Sequence, residues 1–518
     1  MPANANIIIV QKPLYKGMPV GQEIIFSITD NNIVLNYERV KFVATLQAGH
    51  SSSALYSIAT LKVTPNNAGA GMFDFRSLLE TTVNPEYNAN GVGVGVPSGG
   101  TNSTYLGTDY TYEKPFPMHL VDCFSLTNEM SVWFRVYFGV EYLDGNNVAL
   151  DDNIIVSDYY FTFNGFVKNE ETLVSDFASN VYRMGLNLQS LDTKVITNLQ
   201  YQNFIQQNDT SNLLTSAPTI QYARIDDFGT VAMFNRWSNE LMSFQTAPLN
   251  IGTNKVAKIK IELFDSAGAT LGSAMTIANT PANGGSADIS LAVNANQYII
   301  FFGCFPANLD GGYIHDNAAY ADWNTHKANV SYYEIQAGDG VGGGLGNKVS
   351  KKYTINIICD NSFGYEGIRL AWLNRWGTWD YYTFNKKSVR SLNTKKTQYT
   401  QLGGTWNNEH YIPQGYRGGR KNFTVNSTEK LKLNTDFLND LESEWMEELI
   451  NSPEVYLLNR KSLDTYGVSS SVSGIVNKYV EPVILTTSSF IRKTQANDKL
   501  IQYTIEIERN RTQRTQSI

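Results

Sequence analysis

Residues 131–143 read Ser131-Val132-Trp133-Phe134-Arg135-Val136-Tyr137-Phe138-Gly139-Val140-Glu141-Tyr142-Leu143, and Asp144-Gly145-Asn146-Asn147 follows. β-branched and aromatic residues fill this run, and a turn signature closes it, so it predicts a strand ending in a tight turn. Residues 154–163 return as its expected hairpin partner. Working back towards the start, 24–29, 40–46 and 56–63 are short strand candidates, the last with Ile58, Thr60 and Lys62 alternating against Ala59 and Leu61. Met72-Phe73-Asp74-Phe75-Arg76-Ser77-Leu78-Leu79 breaks the pattern, because its apolar residues fall at helical spacing for about two turns. A Gly/Asn-rich loop spans 84–107. Together these predict an N-terminal β domain over 1–167.

Beyond it, 168–215 is rich in Asn, Gln, Ser and Thr with scattered apolar positions, which predicts an extended or partly helical connector. A middle β domain is expected over 216–336, with strands near 256–264, 297–302 and 329–335. Gly338, Gly340 and Gly343 formally satisfy G-x-G-x-x-G, but Lys348-Val349-Ser350-Lys351-Lys352-Tyr353 leads into another strand and not into a phosphate-binding helix. The glycine run 337–348 is therefore read as a hinge. The C-terminal β domain, 349–518, contains a hairpin of 368–374 and 379–384 around Arg375-Trp376-Gly377-Thr378. It also contains one helix, 436–451, with Thr435 or Asp436 as cap. Leu438, Leu441, Trp445 and Leu449 are expected on its inner face, and Pro453 ends it. The fold class is mainly β: several antiparallel sandwich or barrel domains in tandem, the C-terminal one with a single packed α-helix.

The 518 residues exceed one hydrophobic core, and 42% hydrophobic with 17% charged residues marks a folding chain. The N-terminus carries no basic segment ahead of its short apolar run, and no stretch approaches a membrane helix, so neither a secretory signal nor membrane insertion is expected. Cys123, Cys304 and Cys359 are far apart, without metal-ligand spacing. His50, His119, His315, His326 and His410 form no H-x-x-x-H motif. His315-Asp316 with Asp322 and His326 comes nearest to a metal cluster, and a polar loop is the plainer reading. Asp144-Gly145-Asn146 does not follow the calcium-loop order. No G-x-S-x-G or Walker loop is present, so no catalytic residue, cofactor or metal is expected.

Charge is uneven. Residues 348–432 hold 15 Lys and Arg against 5 Asp and Glu, which leaves −17 on the rest of a chain of net charge −7. A basic segment of this kind is a solvated face or a docking surface for an acidic partner or nucleic acid. The candidate interface joins its aromatic and basic residues: Trp372, Arg375, Trp376, Trp379, Lys386, Lys387, Arg390, Lys395, Lys396, Arg417, Arg420 and Lys421. The three tryptophans could stack on sugars or serve as core.

Several motifs recur in a familiar order: Phe73-Asp74-Phe75-Arg76-Ser77-Leu78-Leu79, Phe163-Asn164-Gly165, Leu373-Asn374-Arg375-Trp376-Gly377-Thr378-Trp379-Asp380, Ser452-Pro453-Glu454-Val455-Tyr456-Leu457, and Pro482-Val483. In this the chain resembles virion tail structural proteins of tailed bacteriophages of Bacteroidota hosts, the crAss-like group included. The resemblance implies a non-enzymatic subunit of a tail hub, ring or baseplate, made in the bacterial host cytoplasm and built into the virion. It implies a homo-oligomer in contact with other tail proteins (portal-proximal, ring or fibre components), no membrane, and a central channel through which DNA passes. A lumen that gripped DNA would impede ejection, so the basic segment is expected to face a partner. A receptor- or carbohydrate-binding tail module is the alternative, and a tail-associated glycan hydrolase ranks last.

Overall fold

The computed structural model of the chain describes residues 6–13, 17–88, 117–121, 123–127, 129–145, 147–166, 173–176, 181–184, 214–235, 256–280, 298–310, 320–346, 348, 350–358, 365–405, 408–458, 480–489, 491, 501–510 and 513–514. The chain is mainly β, with several antiparallel sheets. It forms two compact units. Unit 1 is Met1–Ile358 with Leu373–Tyr381 and Asp464–Val476, and unit 2 is Cys359–Trp372 with Tyr382–Leu463 and Asn477–Ile518.

In unit 1 the strand Ser131–Asp144 runs through a six-stranded sheet, paired along one side with Glu38–Ser51. Its other side takes Asn147–Val156 and then Tyr160–Phe163. The hairpin partner thus begins immediately after the turn, where Gly145 takes φ 64° and Asp144 faces Asn147. Period-2 geometry sends Phe134, Val136 and Phe138 to one face of the sheet, against Phe26 and Phe73 of a three-stranded sheet and Phe75 just beyond its last strand. Phe26 sits 5.7 Å from Phe138 and 5.5 Å from Tyr160, ring centre to ring centre. Trp133 and Phe161 point to the opposite face and meet Tyr298 at 5.5 and 5.0 Å. With both faces covered near its start, the strand reads as nearly continuous apolar residues, not as an alternation.

The 72–79 segment differs from its helical expectation. Ala70–Asp74 is a strand, with Phe73 opposite Phe26, and only Arg76–Leu79 turns as helix. Sheet pairing captures the first half of the apolar pattern, which the period alone did not separate.

The expected domain boundaries shift for a concrete reason. Phe124–Leu126 pairs with Ile299–Gly303, so a strand of the N-terminal stretch lies in a sheet of the middle stretch. Tyr353–Ile357, expected in the C-terminal domain, pairs with Tyr332–Gly338 and with Ile220–Ala223 in a five-stranded sheet of unit 1. The glycine run, expected as a hinge, is the connection of the Tyr332–Gly338 and Tyr353–Ile357 hairpin. It is closed by the Gly338–Lys348 bridge and the bond from Gly340 N to Leu345 O, 2.9 Å. Of the expected connector 168–215, only the paired strands Leu173–Asp176 and Val181–Met184 and residues 214–215 are described. Most of the 84–107 loop, His315, Asp316 and Cys359 lie outside the described residues.

Unit 2 is built on antiparallel strands in the order Ile368–Leu373, Val455–Leu458, Val480–Leu485, Thr504–Arg509, Gly419–Asn434, Val389–Gln401, with Gln513–Arg514 also on Gly419–Asn434. The helix Asp440–Asn451 buries Ser443, Trp445, Met446 and Leu449. Trp445 packs 5.0 Å from Trp372 and 6.1 Å from Tyr382, both on sheet strands. Its cap is Asn439, in a reciprocal capping box with Glu442, and not Thr435 or Asp436. Leu441, expected inside, is 77% exposed. Among the described residues no helix is long and apolar enough to cross a membrane.

Candidate interaction surface

The twelve residues of the expected interface divide into three groups. Trp372 and Trp379 are core residues, a correction to their place in a surface. Trp372 is fully buried in unit 2 against Trp445. Trp379, in unit 1, donates from Nε1 to the Glu86 carbonyl at 2.9 Å and packs edge-on to His119 at 4.8 Å. Between them Asn374 organises the turn. Its Oδ1 accepts from the backbone N–H of Trp376 (3.0 Å) and Thr378 (3.1 Å). Its Nδ2 donates to the Leu214 carbonyl (3.1 Å) and to Asp380 (2.9 Å). Gly377 takes φ 73°, where a side chain is strained. Arg375 is half-buried, donates to Ser216 Oγ at 3.1 Å and lies over the Trp376 ring at 4.6 Å.

This turn meets the Phe163-Asn164-Gly165 motif. Phe166 N donates to Arg375 O, and a Cβ at Gly377 would come within 2.0 Å of Asn164 O. Two motifs distant in sequence are therefore two halves of one packed contact inside unit 1, a relation that spacing along the chain could not reveal. His119 and Thr230 both hydrogen-bond the Tyr381 hydroxyl, at 3.0 and 2.9 Å. Thr230, Asp380, Tyr381 and Tyr353 line a cavity of about 20 Å³, space for about one water molecule and too little for a substrate. Burial raises the Tyr353 phenol far above its usual range, and the Asp380 charge adds to the rise.

The second group lies at the root of a long hairpin in unit 2, where cations are matched by carboxylates. Arg390 Nη2 donates to both carboxylate oxygens of Glu366 at 2.7 Å, and its Nη1 reaches Glu429 at 3.4 Å. Lys386 pairs with Asp436 at 3.1 Å. Arg509 is held by Glu481 and Glu429 (3.1 Å), and its pKa is raised, chiefly by the hydrogen bond to Glu481. Lys430 lies near Glu506 and Glu508, at 3.4 and 3.7 Å. Lys387 is exposed, and its carbonyl accepts from Asn434 at 2.7 Å.

The third group forms the hairpin's outer half. Val389–Gln401 pairs with Gly419–Asn434 along its whole length, with a bulge after Thr397 that leaves Phe423 extra. Thr504–Arg509 backs the returning strand only from Lys430 to Asn434, and Gln513–Arg514 only at Asn426 and Ser427. Among the described residues, 396–401 and 419–425 therefore have only each other as strand neighbours, and the loop 402–418 extends beyond them. Every residue from Val389 to Gln398 is exposed. The arm carries Lys395, Lys396, Arg417, Arg420 and Lys421, none of them in an ion pair among the described residues. Arg420 and Lys421 reach only the neutral Gln398 and Gln401, both at 2.8 Å. Beside these cations Leu402, Tyr411, Ile412, Tyr416 and Phe423 are each more than half exposed. The loop is nevertheless internally bonded: Thr405 N donates to Ile412 O at 3.1 Å, and Arg417 N to Gln414 O at 2.9 Å. The sequence shows the cations and, over 422–433, one strand of the arm, but not its partner strand Val389–Gln401, and the apolar tip residues carry no period.

No protein-family model and no curated protein matches the chain. Among solved structures, native E. coli alpha-2-macroglobulin aligns over 84% of this chain and 39% of its own length, at 9% identity and a TM-score of 0.12. A likeness that slight carries no argument about fold or function.

Proposed function

We propose that the chain is a non-enzymatic structural subunit of a tailed-phage virion, assembling as a homo-oligomeric ring or hub in the tail and joining neighbouring tail components. The observation that supports this most is the arm. An isolated two-stranded ribbon is marginal in water, and a long exposed edge strand is a hazard unless it has a use. A ribbon that places four cations and five large apolar side chains in solvent, with Lys421 half-buried beside them, suits a surface awaiting a protein partner. The motif order in the sequence supplies the virion context. The receptor- or carbohydrate-binding alternative is weakened, because Trp372 and Trp379, two of the three tryptophans it would stack on sugars, are core.

The test is to replace residues 396–425 with Asn-Gly, so that the Lys395–Asn426 pair closes a two-residue turn. Light scattering and negative-stain images should show closed oligomers for the full chain. The shortened chain should keep its circular dichroism and lose assembly. Unchanged oligomers from the shortened chain would remove the arm from this role. A monomeric full chain with saccharide-dependent fluorescence would favour the receptor-binding alternative.

A further inference from the structure

We propose that the arm docks on the outward face of the Asp440–Asn451 helix of a second copy of this chain. The inference rests on the assembly reading above and names the partner surface. Residues 389–434 hold eight cations against Glu409 and Glu429, a charge of +6, which leaves −13 on the remainder of this −7 chain. The protein itself is thus an acidic partner for its own arm. Within it the helix is the sharpest complement: Asp440, Glu442, Glu444, Glu447 and Glu448 lie on twelve residues without one Lys or Arg. Glu442 is engaged in the cap, whereas Asp440 is exposed and Glu447 half-exposed.

Apolar chemistry matches too. Leu441 is 77% exposed and Phe437, just ahead of the helix, 54% exposed, on a helix whose other face is core. Acidic residues around two exposed apolar side chains mirror cations around Tyr411, Ile412 and Tyr416. At the arm's root Lys386, Arg390 and Lys430 already pair with carboxylates of unit 2, whereas none of the outer-half cations does among the described residues. The six residue pairs from Lys396 to Gln401 extend the ribbon by about 20 Å, and the loop lengthens it further. Arm and helix are different surfaces, so the contact is head-to-tail, which closes into a ring or continues as a filament.

The test uses two full-length variants. One reverses the arm (Lys395→Glu, Lys396→Glu, Arg420→Glu, Lys421→Glu). The other reverses the helix face (Asp440→Lys, Glu447→Lys). Circular dichroism and thermal melting check that each stays folded. Each alone should fall from the oligomer to the 57.8 kDa monomer by light scattering, and an equimolar mixture should regain a larger mass, since each then meets its complement. Loss in both singles without recovery in the mixture would overturn the pairing, as would wild-type mass in either single. Wild-type oligomers that ignore both reversals would sink the arm–helix contact and leave the assembly reading standing. A monomeric wild-type chain would remove both. Duplex DNA that binds the arm and dissolves the oligomer would assign the cations to a polyanion instead.

Discussion

Asn374 and Gly377 show how much a short motif can carry. One amide side chain holds the 374–378 turn together and ties it to Leu214 and Asp380, all within a buried site. Asn374→Ala removes these four hydrogen bonds from the turn and is expected to destabilise unit 1 by about 2–3 kcal/mol, read from urea unfolding. Gly377 and Gly145 both have positive φ, at 73° and 64°, but only Gly377 faces an obstruction. A Cβ at Gly145 meets nothing within 4 Å, whereas one at Gly377 collides with Asn164. Gly145→Ala should therefore cost about 1–2 kcal/mol, the backbone strain alone. Gly377→Ala should cost clearly more, and equal losses would mean the Asn164 contact yields freely. The motif was visible in the sequence. Its purpose was not, because Asn164 and Leu214 reach the turn through the fold.

At the scale of elements, the helix of unit 2 was legible in existence and type but not in its details. Thr435 and Asp436 looked like caps, yet tertiary bonds claim them: Thr435 Oγ1 accepts from Tyr503 N at 2.9 Å, and Asp436 N donates to the Tyr382 hydroxyl at 2.9 Å. Asn439 and Glu442 then cap the helix, which starts later and rotates Leu441 out while Met446 turns in. Trp445 lies on the buried face, as its spacing predicts, and Trp445→Ala should destabilise unit 2 by about 3–5 kcal/mol in denaturant unfolding. A loss below about 1 kcal/mol would mean that the ring is dispensable to the core. The arm was the least legible element. Its strands alternate polar residues on both faces, so no buried stripe announces a ribbon that the surrounding fold leaves uncovered.

For the molecule as a whole, buried phenols set an alkaline limit. Burial raises Tyr160, Tyr353 and Tyr382 above their usual range, and pushes Tyr456 up to about 12. A phenol with a folded pKa above its ordinary value near 10 supports folding fully below pH 10, and loses that support as pH rises towards the folded value. The chain should hold its fold up to about pH 10 and unfold on further titration, with a jump in tyrosinate absorbance that coincides with loss of circular dichroism. Smooth ionisation of every tyrosine before any unfolding would contradict the burial of these four rings. The sequence's sheet content, strand-rich halves and single C-terminal helix were all readable, but the unit boundary was not, since strands far apart in the chain complete one another's sheets. One such exchange has a temporal meaning. Unit 1 takes Leu373–Tyr381 from a stretch flanked on both sides by chain of unit 2. Because synthesis is vectorial, a nascent chain ending at residue 358 still lacks Asn374, Trp379 and Tyr381, so the first-made unit cannot complete its packing until part of the second has been synthesised.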